Sequence, residues 1–195
     1  AYCPDGEALG GEERIDSLAQ SWAALSPYAS PLHADAALDA ALERLVDRQN
    51  RLVKLFQPPY TCRERRVGYI SGYGEGFREN GGQYTHAATW VVAALAELGL
   101  GDEAYRCFSL LNPIQHALDE ASAETYRVEP YVVAADVYSE AEKAGRGGWT
   151  WYTGSAGWMY RVAVEYILGL RRQGDEMLLK PAIPKSWNGF AATVI

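Results

Sequence analysis

Apolar residues recur at helical spacing along most of this chain. Ile15, Leu18, Ala19, Trp22 and Leu25 mark one face of a first helix that opens after Glu12-Glu13 and stops near Ser26-Pro27. The two carboxylates suit the positive end of a helix dipole. Residues 31–48 repeat the spacing with Ala37, Leu38, Ala41, Leu42 and Leu45 on one side, and the short connection predicts an antiparallel helix pair. Residues 51–56 read as a short strand or extended stretch closed by Pro58-Pro59, and a long glycine-bearing segment then runs to Asn80. Loops of that length inside a domain are usually functional. A third helix carries Val91-Val92-Ala93-Ala94-Leu95-Ala96 and ends at Gly99, and a fourth covers 102–111 before Asn112-Pro113. Residues 114–123 predict a short helix or helical turn. The apolar run 128–138 predicts a buried helix, although its valines and tyrosines would also suit a strand. A strong helix follows over 155–170, with Trp158, Met159, Val162, Tyr166 and Leu170 on its apolar side. Beyond Gly174 the pattern changes to strands, around 177–183 and 190–195.

With 195 residues, the chain can bury one good core. Its formal charge of −7 argues against a nucleic-acid partner, which needs clustered cations, and the only dense basic run, Arg63-Glu64-Arg65-Arg66, is short. Cys3, Cys62 and Cys107 are odd in number, widely spaced and in no metal-ligand pattern, which argues against a disulfide framework or zinc site and fits a reducing compartment. No run approaches the length of a membrane span, so the piece reads as soluble. Thirteen Tyr and six Trp against four Phe give most rings a polar handle, suited to helix packing and to stacking on sugar faces. The start at Ala1 and the stop at Thr193-Val194-Ile195 inside a strand pattern suggest a piece of a longer protein.

Chemistry concentrates in Arg78-Glu79-Asn80-Gly81-Gly82-Gln83-Tyr84-Thr85-His86, which runs straight into the third helix. His86 in such company can bind an anion or move a proton near neutral pH. His33 and His116 lack that company and read as surface residues. Thr153-Gly154-Ser155 opens a helix, where backbone N–H groups and hydroxyls form a ready anion site; the same residues would also serve as an ordinary N-cap. Glu129, in Arg127-Val128-Glu129-Pro130-Tyr131, is either a helix-dipole partner or an acceptor for a sugar hydroxyl. Arg14 and Asp16 suggest a surface ion pair. No nucleophile elbow, HExxH pair or dinucleotide fingerprint is present.

These stretches together resemble glycoside hydrolase family 94, the inverting glycoside phosphorylases. The resemblance rests on 78–88, on Arg127 to Tyr138 and on Gly145 to Trp158, and extends through Arg14-Ile15-Asp16-Ser17, Gln20-Ser21-Trp22 and Ile183-Pro184-Lys185-Ser186-Trp187. Within the family the chain is most similar to the phosphorylase-like domain of the cyclic β-1,2-glucan synthases. The resemblance implies a mainly α fold: residues 1–174 as the later part of an (α/α)6 barrel and 175–195 as the start of a C-terminal β-rich domain. It implies phosphorolysis of a β-glucosidic bond with inversion, giving glucose 1-phosphate, with inorganic phosphate as co-substrate and no cofactor or metal. His86, Thr153 and Gly154 match phosphate-binding positions, and Glu79 and Gln83 fall in the motif lining the sugar subsites. The family's general acid lies in an Asp-Trp-Asn-Asp-Gly motif that this chain lacks, so no catalytic residue is expected here and the piece alone should be inactive. Its expected partners are a β-glucan oligosaccharide, phosphate and the upstream half of the same barrel. The apolar flank of half a barrel would also favour association with a second copy. The implied setting is a soluble domain facing the cytoplasm, with membership of an inner-membrane protein left open. A glucan-binding or scaffold domain of a membrane-bound synthase is the alternative reading.

Overall fold

The computed structural model describes residues 14–61 and 65–193. Strand β1 (Ile15–Asp16) leads into α1 (Ser17–Leu25), which packs against α2 (Pro31–Arg44). Strands β2 (Val46–Asp47), β3 (Leu52–Val53) and β4 (Phe56–Gln57) follow, then 3-10 turns over Arg65–Gly72 and strand β5 (Gln83–Tyr84). Helices α3 (Thr85–Glu97) and α4 (Gly101–Leu111) come next. A 3-10 turn at Pro113–Ala117 and α5 (Glu120–Tyr126) precede β6 (Asp136–Val137). Helix α6 (Thr153–Arg161) continues through a π-helical segment, Val162–Ile167, into strands β7 (Leu170–Gln173) and β8 (Glu176–Leu179). The strands pair antiparallel in twos: β1 with β4, β2 with β3, β5 with β6 and β7 with β8.

Helix α3 is the axis of the core. Residues 91–96 are buried on every side, as expected of a helix without a polar face, and α1, α2, α4, α6 and the π-helical segment pack around it. Each fully buried Val or Leu there contributes about 1.5–3 kcal/mol. Helix starts follow capping chemistry. The Asp16 carboxylate accepts the Leu18 N–H at 2.7 Å, and Ser30 caps α2 ahead of Pro31. Glu97 at the far end of α3 holds the β7–β8 hairpin through Arg171 and Lys180, each at 2.6 Å. The domain boundary expected after Gly174 falls in the turn of this hairpin, which Arg171 of β7 and Lys180, just past β8, tie to α3.

Several elements differ from expectation, each for a local reason. The first helix starts at Ser17 because Ile15 and Asp16 pair with Gln57 and Phe56. Helix α2 stops at Arg44 rather than Arg48: the Asp47 carboxylate takes the Asn50 N–H at 3.0 Å and its side-chain amide at 2.8 Å, side-chain bonds that hold the turn of the β2–β3 hairpin. Residues 128–138 do not form a helix. Arg127 ends α5 in the left-handed region, so it opens no new helix, and Pro130 follows shortly after. The run then extends along β5 on one side and 146–149 on the other: Thr85 N–H donates to Ala135 O (2.9 Å), Ala135 N–H to Trp149 O (2.6 Å) and Tyr138 N–H to Arg146 O (2.8 Å). His33 is exposed as expected, but His116 is 4% exposed. It stacks on Tyr126 at 4.4 Å, with Nε2 2.7 Å from Leu110 O. Residues 190–193 carry no strand. The lead-in 1–11, Glu12-Glu13, Cys3, Cys62, part of the basic run and the last two residues lie outside the described residues.

Candidate functional site

The glycine-rich segment before α3 is held by two buried amides. Asn80 Oδ1 accepts the Tyr60 N–H at 2.8 Å, and its Nδ2 donates to Tyr60 O at 2.8 Å and Tyr73 O at 2.9 Å. Gln83 Oε1 accepts the Val53 N–H at 2.9 Å, and its Nε2 donates to Thr85 Oγ1 at 3.0 Å. A side chain at Gly82 would come within 2.8 Å of Arg78 O, so only glycine lets the segment fold this tightly. These contacts fix Arg78, Glu79, Tyr84 and His86 along one wall of a cleft of about 400 Å³, with Ala135, Asp136 and residues 152–155 completing it. Gln83 itself, 1% exposed, does not reach this cleft; it braces the wall from behind.

His86 lies in the first turn of α3, half-buried among Tyr84, Trp90 and Trp158, whose ring centroids are 6.1, 5.1 and 5.7 Å away. Burial pushes its pKa below the ordinary histidine value, so the ring is neutral at neutral pH. Its Nε2 is buried and has no hydrogen-bond partner. Across the cleft, Thr153, Gly154 and Ser155 are the first residues of α6. None of them is the N-cap that the sequence also allowed. The N-cap position is Tyr152, which makes no side-chain cap, and the Ser155 hydroxyl turns back to donate to Tyr152 O at 3.2 Å. The leading N–H groups of α6 thus meet the cleft without a side-chain cap, and such a helix end favours an anion.

The opposite chemistry occupies the rest of the wall. The Arg78 guanidinium lies over the Trp149 ring at 4.3 Å, with Nε 3.6 Å from Glu79 Oε2. Asp136 is 2% exposed; its Oδ1 accepts the Trp149 N–H at 2.9 Å, and its Oδ2 has no partner. Burial raises its pKa above the usual carboxylate range. Asp136 has no role in the sequence reading, because 128–138 read as a buried helix. The available signal was a lone carboxylate inside an otherwise apolar run. Glu129 lies outside the cleft and accepts from Trp151 Nε1 at 3.3 Å. Asp16 caps α1, and Arg14 Nε donates to Pro58 O at 3.2 Å. A second groove of about 450 Å³ runs past Trp22, Trp90 and Trp158, which meet edge to face. Among the described residues no group of three or more His, Cys, Asp or Glu side chains could hold a metal, and no helix is long and apolar enough to cross a membrane.

Helices thus pack around a buried central helix, with a polar cleft at the starts of α3 and α6. Residues 1–169 match the family model of the glycosyl hydrolase 94 superfamily catalytic domain, and the chain belongs to this family, whose catalytic domain is an (α/α)6 barrel. It is 56% identical over 191 residues to the cyclic β-(1,2)-glucan synthase NdvB of Rhizobium meliloti (strain 1021), covering 98% of this chain and 7% of that protein. It is 29% identical over 195 residues to the N,N'-diacetylchitobiose phosphorylase of Vibrio furnissii (97% and 24% covered). Identity to the solabiose phosphorylase of Paenibacillus borealis is 31% over 194 residues (96% and 24% covered). The chain thus spans only a small part of the length of these relatives.

Proposed function

We propose that this chain supplies the phosphate-binding wall and part of the sugar-binding wall of an inverting glycoside phosphorylase site. The observation that carries the reading is the meeting of His86 with the uncapped start of α6 in one cleft. The N–H groups of Thr153 and Gly154, with the Thr153 hydroxyl, would hold phosphate oxygens, and His86 Nε2 would complete the cradle. Phosphate held there attacks the anomeric carbon of a β-glucoside from the face opposite the leaving oxygen, and the product is glucose 1-phosphate of inverted configuration. Glu79, on the same wall, would accept hydrogen bonds from sugar hydroxyls. Gln83 would act on the sugar only indirectly, by bracing that wall.

Protonation of the leaving oxygen falls to a carboxylic acid outside these residues. Such general-acid catalysis contributes roughly 10²- to 10⁴-fold in rate, so the isolated piece would be inactive without the remaining barrel helices. The likeness to NdvB and to phosphorylases, among them a 1,2-β-oligoglucan phosphorylase of Listeria innocua at 27% identity over 140 residues, favours a β-1,2-linked glucan as substrate. The barrel would end near residue 174, where a β-rich unit begins. A cytoplasm-facing domain of a larger membrane protein suits the free, buried Cys107. The test is phosphorolysis of linear β-1,2-gluco-oligosaccharides by the full-length parent. Phosphate-dependent release of glucose 1-phosphate that collapses in His86→Ala supports the reading. A folded parent that releases none from β-1,2, β-1,4 or N-acetylated substrates overturns it, leaving a glucan-binding or scaffold role.

A further inference from the structure

The two oxygens of Asp136, in the cleft wall, have separate fates. Oδ1 is fixed by the Trp149 N–H at 2.9 Å, and the backbone on either side is locked into strand pairing with β5 and with 147–149. Oδ2 is buried without a partner. A side chain at residue 148 would come within 2.4 Å of Oδ2, so Gly148 is what allows the carboxylate to sit there. A buried acceptor left unmet is costly and calls for a specific explanation, and one in a cleft wall is placed for a ligand to meet it. The nearby charges are Arg78, which favours the carboxylate, and Glu79, which opposes it. A neutral donor therefore fits the position better than a second cation, and a cleft of about 400 Å³ suits a monosaccharide ring.

Resting on the phosphorylase reading above, we infer that Asp136 is a specificity-determining sugar-binding residue. Its Oδ2 accepts a hydrogen bond from one glucosyl hydroxyl and rejects a substituent that can only accept. The carboxylate is set on a rigid strand, so it selects by position as well as by chemistry. Sites built around a substrate hydroxyl discriminate strongly against analogues lacking it, because the protein's acceptor is then left bare.

Asp136→Asn in the full-length parent keeps an oxygen for the Trp149 N–H and replaces the free acceptor with a donor of the same shape. The expected result, with glucose 1-phosphate as probe in the synthetic direction, is a rise in KM of about 10- to 100-fold. KM for inorganic phosphate in phosphorolysis should stay within about threefold of wild type, since this side chain is not part of the cradle. Among monodeoxy and monodeoxyfluoro analogues of glucose 1-phosphate, one position should penalise wild type and leave Asp136→Asn indifferent, a coupling that a merely structural residue would not produce. Unchanged sugar KM and analogue profile in a folded variant overturn the inference. If the variant does not fold, wild type alone decides: no ring position at which fluorine for hydroxyl costs about tenfold or more also overturns it. A parent without turnover overturns the phosphorylase reading instead, and calorimetry with glucose 1-phosphate then tests Asp136 by itself, equal affinity for wild type and variant counting against it.

Discussion

Asn80 and His86 stand six residues apart in one motif, yet their hydrogen bonding is opposite. Asn80 makes three short bonds to the backbone of Tyr60 and Tyr73, and Gln83 joins Val53 to Thr85 in the same fashion. His86 Nε2 and Asp136 Oδ2 are buried with no hydrogen-bond partner, and Glu79 Oε2 meets only the Arg78 guanidinium, at 3.6 Å. A polar side chain whose bonds are all made inside the protein holds the chain in place and has nothing left for a ligand. One kept dry and incomplete costs stability, and that cost is intelligible where a ligand completes it. The motif therefore divides into bracing residues and presenting residues, a division that residue type alone does not reveal.

The comparison can be broken by separating activity from stability. The largest effect is expected for His86→Ala in the full-length parent: a loss of about 10²- to 10³-fold in kcat/KM for phosphate, with little change in the urea midpoint. A stability loss as large as that of the bracing residues would erase the distinction. Asn80→Ala should do the reverse and lower unfolding stability by about 2–4 kcal/mol, because it strands two carbonyls and an N–H at once. Phosphorolysis measured well below the melting range should then be reduced far less than by His86→Ala. Gln83→Ala comes next, at about 1–3 kcal/mol, since it leaves the buried Val53 N–H bare; hydrogen exchange at Val53 should rise with it.

The smallest effect is a pH dependence. Burial holds the His86 pKa below its unfolded value, so between the two values the unfolded chain carries the extra proton and stability rises with pH. The contribution of His86 is thus unfavourable below the ordinary histidine range and disappears above it. In His86→Ala that acid-side slope should be shallower in urea titrations, and an unchanged slope would assign the pH dependence to other groups.

Much of this was legible in the sequence, and the rest failed for one reason. Helices α3 and α4 followed from a continuous apolar run and from Asn112-Pro113, signals that lie within the element itself. His86 and Thr153-Gly154 stood out for the same reason, since each opens a helix, and the structure brings them to one cleft. Residues 128–138 misled because an apolar run does not name its partner: β5, about fifty residues earlier, and 146–149, just beyond the run, turn it into extended chain. The oversight of Asp136 followed from that error. His116 takes its buried place through Tyr126, ten residues later, and Leu110, contacts that its own short segment does not announce. Gln83 was expected to face sugar on the strength of its motif, and the bond that commits it to bracing goes to Val53, thirty residues earlier.

The pairing of β5 with β6 also bears on the order in which the molecule assembles. Two residues on each side close a loop of about fifty residues, an entropic cost of about 3.5 kcal/mol from the logarithmic term alone. So short a ladder does not offset that cost by itself. The loop is shortened first by the α3–α4 pair inside it, whose contacts are local and form early. His86 is therefore delivered with the early helix, whereas Asp136 arrives only when the ladder closes. The two walls of the cleft mature at different times, and pulse-labelling should find the Thr85 amide, which donates to Ala135 O, protected after the amides of residues 91–96.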